Sequence, residues 1–206
     1  MKQPLGVILA GGLARRMGGG DKGLLEIGGR PILDHVIDRL APQVAELAIN
    51  ANGDPARFAH FDLPVLPDGI ADFPGPLAGV LAGLDWAAEQ GAETIVTAAA
   101  DTPFFPCDLV PQLLLASEGM AHPLVLAATP DEKRGQVRHP TFGLWPVALR
   151  DDLRDALEGG LRKVVLWSDK HDGQEAVFPV VGLDPFFNIN TPEDLALANE
   201  LAERVA

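Results

Sequence analysis

Short, largely apolar runs alternate along this chain with longer stretches whose apolar positions recur every three or four residues. The short runs fall at 5–9, 45–51, 63–66, 94–100, 124–129, 140–145, 176–181 and 186–190, and read as strands. Most are apolar on both faces, as strands covered on both sides must be. Between them, Pro31 opens a helix after a Gly28-Gly29 turn. Ile32, Leu33, Val36, Ile37 and Leu40 form its apolar stripe, and Asp34, Asp38 and Arg39 lie outside it. That helix ends near Ala41-Pro42. Pro76 opens a second helix reaching about Gln90, with Leu77, Val80, Leu81, Leu84 and Ala88 inward. Residues 108–117, 147–157 and 161–167 read as shorter helices, and a helix over 192–205, capped by Thr191, closes the chain. The Asp-Glu-Lys-Arg run in 130–134 is a solvated turn. Alternation of this kind predicts an α/β fold: a single-domain, three-layer α/β/α, Rossmann-like arrangement on a mostly parallel sheet. No composition break and no repeat divides the 206 residues, so one domain over 1–206 is expected.

Composition narrows the class. With 47% hydrophobic residues the chain has material for a full core and is not a disordered segment. A formal net charge of −13 argues against nucleic-acid binding, which needs a basic stripe. The single cysteine, Cys107, excludes an internal disulfide and fits a reducing compartment. Residues 1–4 run directly into the first strand, leaving no room for a signal peptide, and no apolar run approaches the ~20 residues of a membrane helix. A cytoplasmic protein that binds no membrane is the expectation.

Against that acidic background, 11–22 stands out. Gly11, Gly12, Gly18, Gly19 and Gly20 are interleaved with Arg15, Arg16 and Lys22. Glycine brings amide N–H groups close to an anion, arginine adds a planar fork for phosphate oxygens, and lysine adds a mobile charge. The pattern predicts a polyphosphate site. The plainer alternative is a glycine-rich turn with incidental charges. Walker A is excluded because Gly23, not Ser or Thr, follows Lys22. The dinucleotide fingerprint is excluded by the spacing Gly11-Gly12-Leu13-Ala14.

In such a sheet, ligands bind beyond the carboxyl ends of the strands. Five polar sets fall there: the glycine loop, Asn50 with Asn52, Asp68, Asp101, and Asn188 with Asn190. Asn and Asp are also ordinary turn residues, so the argument rests on all five together. Asp101 follows an uncharged strand and suits Mg²⁺, which takes one or two carboxylates plus substrate phosphates. A carboxylate can accept from guanine N1–H and the 2-amino group together, a pair that adenine lacks. Asp68 and Asn50 are both candidates to read the nucleoside, and the residues alone do not choose between them. His35, His60, His122 and His171 show no metal spacing, Trp86, Trp145 and Trp167 read as packing, and His139 stays open as an acceptor contact.

Three motifs carry a resemblance. Leu9-Ala10-Gly11-Gly12, Arg16-Met17-Gly18 and Asp21-Lys22 resemble the signature loop of nucleotidyltransferases whose fold is similar to that of nucleotide-sugar pyrophosphorylases. Gly75-Pro76-Leu77-Ala78-Gly79 after Asp68, and Asn188-Ile189-Asn190-Thr191-Pro192-Glu193-Asp194-Leu195, resemble elements of the molybdenum cofactor guanylyltransferases. His139-Pro140-Thr141-Phe142 has the same character. The chain departs from that family in one place: Ala100 stands where Cys or Gly often precedes the aspartate, at a position expected to face the sheet and not to affect activity.

The resemblance implies a nucleotide-diphospho-sugar transferase-like fold and transfer of GMP from GTP to molybdopterin, with Mg²⁺ as cofactor and release of pyrophosphate. It implies that Leu9, Ala10 and Gly11 hold the nucleoside through backbone contacts, that Lys22 with Arg16 holds the triphosphate, and that Asn50 and Asp68 contact GTP. Asp101 would bind Mg²⁺, and Lys22, Arg16 and Asp101 would form the catalytic set. Asn188 and Asn190 would lie on the acceptor side or help hold the metal. Proteins that deliver the cofactor or mature molybdoenzymes are implied partners, and a monomer is expected. The rivals are a cytidylyltransferase acting on molybdopterin or on a sugar or alcohol phosphate, a non-catalytic GTP-binding module, and an NAD-dependent oxidoreductase.

Overall fold

β1 (Leu5–Leu9) runs through the middle of a seven-stranded sheet. The computed structural model describes residues 2–11, 21–70 and 75–205; the expectations for 12–20, Arg15 and Arg16 among them, lie outside the described residues. In chain order come a small antiparallel hairpin of β2 (Glu26–Ile27) and β3 (Arg30–Pro31), then α1 (Ile32–Leu40), β4 (Leu47–Asn50), a 3₁₀ segment (Pro55–Phe61) and β5 (Val65–Leu66). The chain continues through α2 (Pro76–Glu89), β6 (Thr94–Ala99), α3 (Leu109–Ala116), β7 (Val125–Asp131) and β8 (Gly135–Pro146). It closes with α4 (Arg150–Glu158), α5 (Val164–Lys170), β9 (Gln174–Val177) and α6 (Pro192–Val205).

The strand order is β5-β4-β1-β6-β8-β7-β9. The pairs β5–β4, β4–β1, β1–β6 and β7–β9 are parallel, and only β8 runs against the rest. Successive residues of β1 and β6 point into different cores, as the two-residue pleat requires. Ile8, Val96 and Ala98 pack with Val36 and Leu40 of α1 and Leu109 and Leu113 of α3. Leu5, Val7 and Ile95 pack with α2, α4 and α5 on the opposite face. Val7, Ile8, Ile95 and Val96 are fully buried, each worth about 1.5–3 kcal/mol over exposure. The three tryptophans belong to the second core; Trp145 donates to Thr97 Oγ1 at 2.9 Å. That bears out their reading as packing residues.

Two glycines set how closely α2 lies on the sheet. A Cβ at Gly83 would stand 2.8 Å from Val7, and one at Gly79 would stand 2.1 Å from the side-chain oxygen of Asn50. Four residues apart, the two share one helix face. Gly79, the last residue of the Gly75–Gly79 motif, is thus required for the close approach of α2 to Asn50.

Other elements differ from expectation. Residues 186–190 form no strand: Ile189 N donates to Asp101 O at 2.9 Å, and the segment hangs on that contact without a ladder. The strand expected at 140–145 is the inner half of β8. Its outer half is the polar arm of a hairpin whose turn is closed by Asp131 Oδ1, which accepts from the amides of Lys133 and Arg134. β9 lies earlier than the 176–181 expected, with Pro179 just beyond its end. Thr191 does cap α6: its Oγ1 accepts from Asp194 N at 3.2 Å, while Asp194 Oδ2 accepts from Thr191 N at 2.9 Å.

Candidate active site

Parallel strands in register place their ends side by side. Leu9 pairs with Asn50 on one side and Ala99 on the other, and Asn50 pairs with Leu66. One residue further, Ala10 N donates to Asn50 O, Ala51 N to Leu66 O and Ala100 N to Leu9 O. The chain from β1 returns on one side as β4 and later on the other as β6, which makes this row a topological switch point. A cleft of about 340 Å³ opens over it. Leu9, Ala10, Gly11, Lys22, Asn50, Asp68 and Asp101 all line it, so seven of the expected site residues meet in one cavity. Asn50, Asp68 and Asp101 at strand ends, and Lys22 at the start of a 3₁₀ turn (Lys22–Leu24), come there from four separate elements.

The corner beyond β4 and β5 is built from amides around one carboxylate. Asn50 is 3% exposed, and its Nδ2 donates to Leu66 O at 3.0 Å and Asp68 Oδ1 at 2.9 Å. Asn52 Nδ2 donates to Asp68 Oδ2 at 2.7 Å, and Asn52 Oδ1 accepts from Asp68 N at 2.9 Å. Each Asp68 oxygen thus receives one neutral donor and retains acceptor capacity for another. The Asn50 amide nitrogen is spent on Leu66 O and Asp68, and Asp68 is the residue of the two that carries free acceptors.

The corner beyond β1 and β6 is built from charges. Lys22 Nζ lies 3.1 Å from Asp101 Oδ2, with both side chains about one-fifth exposed (19% and 21%). Lys22 Nζ also donates to Asn190 Oδ1, and Thr102 Oγ1 donates to Asn188 Oδ1. Asn190 N and Thr191 N donate to Asp194 Oδ2, and these amides hold the Asp194 carboxyl below its ordinary range of 3.8. Asn188 and Asn190 therefore sit beside Asp101 through side-chain contacts, not at a strand end. Asp101 and Asn190 present hard oxygens to a single cation. Among the described residues no group of three or more His, Cys, Asp or Glu gathers to hold a metal, so an ion here would complete its shell from substrate oxygens, the pattern that suits Mg²⁺.

A third wall comes from an irregularity in β8. Leu126 pairs with Gly143 but Ala127 with His139, so residues 140–142 bulge out of the ladder. Thr141, in that bulge, lines the cleft. His139 is taken up structurally: it shares a hydrogen bond with Thr129 Oγ1 at 2.8 Å, stacks on Phe186 at 4.3 Å, and burial pushes its imidazole pKa down. Ala100 is buried, with its Cβ facing Gly23.

Sequence reasoning placed Asn52 at a strand end without giving it a role, quoted Thr141 only within a motif, and passed over Arg57 altogether. The alternation of Asn50 and Asn52 around one residue was a usable signal for the first. A bulge and a long-range arginine leave no local pattern.

A family model described as the MobA-like NTP transferase domain matches residues 6–173. The molybdenum cofactor guanylyltransferase of Bradyrhizobium sp. (strain ORS 278) is 53% identical over 200 residues, covering 96% of this chain and 92% of that protein. The protein of the same name from Rhodopseudomonas palustris (strain BisB5) is 52% identical over 201 residues, covering 96% and 93%. Among solved structures, molybdopterin-guanine dinucleotide biosynthesis protein A from Archaeoglobus fulgidus matches with a TM-score of 0.73 over 97% of this chain and 99% of that one, at 21% identity, a likeness of fold. The motifs at both ends of the chain, the switch-point cleft and the length of these matches lead to one statement: the chain belongs to the MobA-like NTP transferase family, in its molybdenum cofactor guanylyltransferase branch.

Proposed function

We infer that this protein transfers GMP from GTP to molybdopterin, releasing pyrophosphate and forming molybdopterin guanine dinucleotide. The observation that carries the reading is the pairing of two corners in one cleft: an amide-held carboxylate suited to guanine and a cationic corner suited to a triphosphate. Asp68 presents two oxygens with acceptor capacity, and guanine offers N1–H and the 2-amino group to match. Cytosine sets an acceptor nitrogen beside its amino group, so one carboxylate oxygen would face a lone pair. That disfavours the cytidylyltransferase rival.

In the proposed mechanism Leu9, Ala10 and Gly11 seat the nucleoside, and Asp68 fixes the base. Lys22 leaves Asp101 for the phosphates, joined by Arg16. Asp101, with Asn190, would hold Mg²⁺, which when bound neutralises phosphate charge. A terminal phosphate oxygen of molybdopterin attacks the α-phosphorus in line as the bond to the bridging oxygen of the β-phosphate breaks. A phosphate monoester is largely doubly ionised at neutral pH, with a second pKa of about 6, so no general base is needed. Catalysis then rests on positioning and electrostatics. Asn188 and Asn190 border the acceptor side. The protein works as one nucleotidyltransferase unit over 1–206, a monomer in the cytoplasm served by cofactor-delivery and molybdoenzyme-maturation proteins. No helix among the described residues is long and apolar enough to cross a membrane.

The test is pyrophosphate release with Mg²⁺ and molybdopterin, using GTP, CTP or ATP. Release with GTP that depends on acceptor supports the reading; preference for CTP, or GTP binding with no turnover, overturns it.

A further inference from the structure

Arg57 lies in the 3₁₀ segment Pro55–Phe61, outside the row of strand ends. Its guanidinium nevertheless reaches both corners of the cleft. Nη2 donates to the backbone carbonyl of Asn52 at 2.5 Å, and Nη1 donates to that of Asp54 at 2.7 Å. Nη2 also donates to Asp21 Oδ1 at 3.4 Å, while the buried Nε lies in an ion pair with the other Asp21 oxygen without making a hydrogen bond. The guanidinium carbon stands 4.7 Å from the ring centre of Phe58, which is fully buried. Arg57 is 28% exposed and Asp21 16%, so this pair is shielded far better than a surface ion pair.

The two residues it joins matter through their neighbours. Asn52 holds Asp68 through its side chain while its carbonyl rests on Arg57. Asp21 directly precedes Lys22, so its backbone sets where Lys22 starts. Asp21 also brings a negative charge to the phosphate end, and Arg57 neutralises it. A planar fork can grip two carbonyls and a carboxylate together, which an ammonium cannot.

We propose that Arg57 is a positioning residue that ties the base-reading corner to the phosphate-binding corner and masks the charge of Asp21. This rests on the guanylyltransferase reading above. Two effects follow and are separable. Loss of the fork loosens Asn52 and with it the grip of Asp68 on the 2-amino group of guanine. Loss of the charge unmasks Asp21 against the triphosphate.

The test is calorimetric binding of Mg²⁺–GTP and Mg²⁺–ITP, which lacks the 2-amino group, to the full chain and to Arg57→Gln, Asp21→Asn, their double variant and Arg57→Lys. Unfolding midpoints are read alongside. The wild type is expected to prefer GTP. Arg57→Gln should weaken both nucleotides about tenfold and shrink the GTP-to-ITP ratio by a further factor of about three. The double variant should regain ITP affinity but not the ratio. Arg57→Lys should keep ITP affinity and lose the ratio, and it serves if the glutamine variant does not fold. An unchanged ratio in both Arg57 variants, or equal losses that track the unfolding midpoint, would overturn the proposal while leaving the function intact. A wild type that does not bind GTP would sink the functional reading itself.

Discussion

The two corners of the cleft are built by opposite means. The base corner draws Asn50, Asn52 and Asp68 from one short stretch, at most 18 residues apart, and holds its carboxylate with neutral amide donors. The phosphate corner draws Lys22, Asp101 and Asn190 from across the chain, with separations of 79 and 168 residues, and compensates one charge with another. In the proposed mechanism the first is already arranged for its ligand, because guanine would add bonds to Asp68 without breaking those present. The second holds its cation against its own carboxylate, and in the proposed mechanism it would exchange partners when phosphate arrives. Selectivity is thus assigned to the preorganised corner and charge handling to the one that rearranges.

Removing Lys22 should break the contrast most sharply. Lys22→Ala is expected to lower kcat by about 10²–10³ while the unfolding midpoint stays near that of the wild type, since the losses are one part-buried ion pair and one hydrogen bond at the edge of the cleft. Pyrophosphate release and a thermal melt check both. Asp68→Asn should do the reverse: turnover with saturating GTP survives, but preference for GTP over ITP and ATP falls by about tenfold to a hundredfold, read as ratios of kcat/KM.

Gly79→Ala probes how far preorganisation depends on packing. The added Cβ would stand 2.1 Å from Asn50 Oδ1 and 2.9 Å from Leu9 Cδ2. It should cost about 1–3 kcal/mol, lower the midpoint by several degrees, and weaken GTP binding by displacing Asn50. A stable variant with unchanged affinity would show that Asn50 does not set the position of Asp68.

The smallest effect concerns acid. Asp194 anchors the Asn190 amide, and its pKa is depressed by the amides it accepts from. Its stabilisation is therefore complete above the ordinary 3.8 and is lost as pH falls through the lowered value. The wild type should exceed Asp194→Ala by about 1 kcal/mol uniformly from pH 8 to 5, and the gap should close only below about pH 4. A gap that changed between pH 8 and 5 would contradict this assignment.

The central sheet was legible in the sequence because its strands are apolar on both faces: 5–9 and 94–100 need no context to be read. What escaped depends on distance. The segment 186–190 looks like a strand by composition, yet the bond from Ile189 to the Asp101 carbonyl gives it a different job. β8 was read only where it is apolar, since its outer half is polar and paired by a turn. In the site, Lys22, Asn50, Asp68 and Asp101 were found because strand ends are a topological prediction. Asn52 left a signal in its alternation with Asn50, whereas Thr141 and Arg57 reach the site through geometry that spacing does not record.

The wide separations in the phosphate corner also bear on the order of events during synthesis. Every residue of the base corner has emerged once position 68 is made, and its contacts are local enough to form early. Lys22 and Asp101 wait for Asn190, held against Asp101 by its neighbour Ile189. Since domains fold as units, the long-range contacts of the phosphate corner close only when the last part of the chain has been made. A polypeptide halted short of position 188 would lack both Asn188, which accepts from Thr102, and Asn190, which accepts from Lys22.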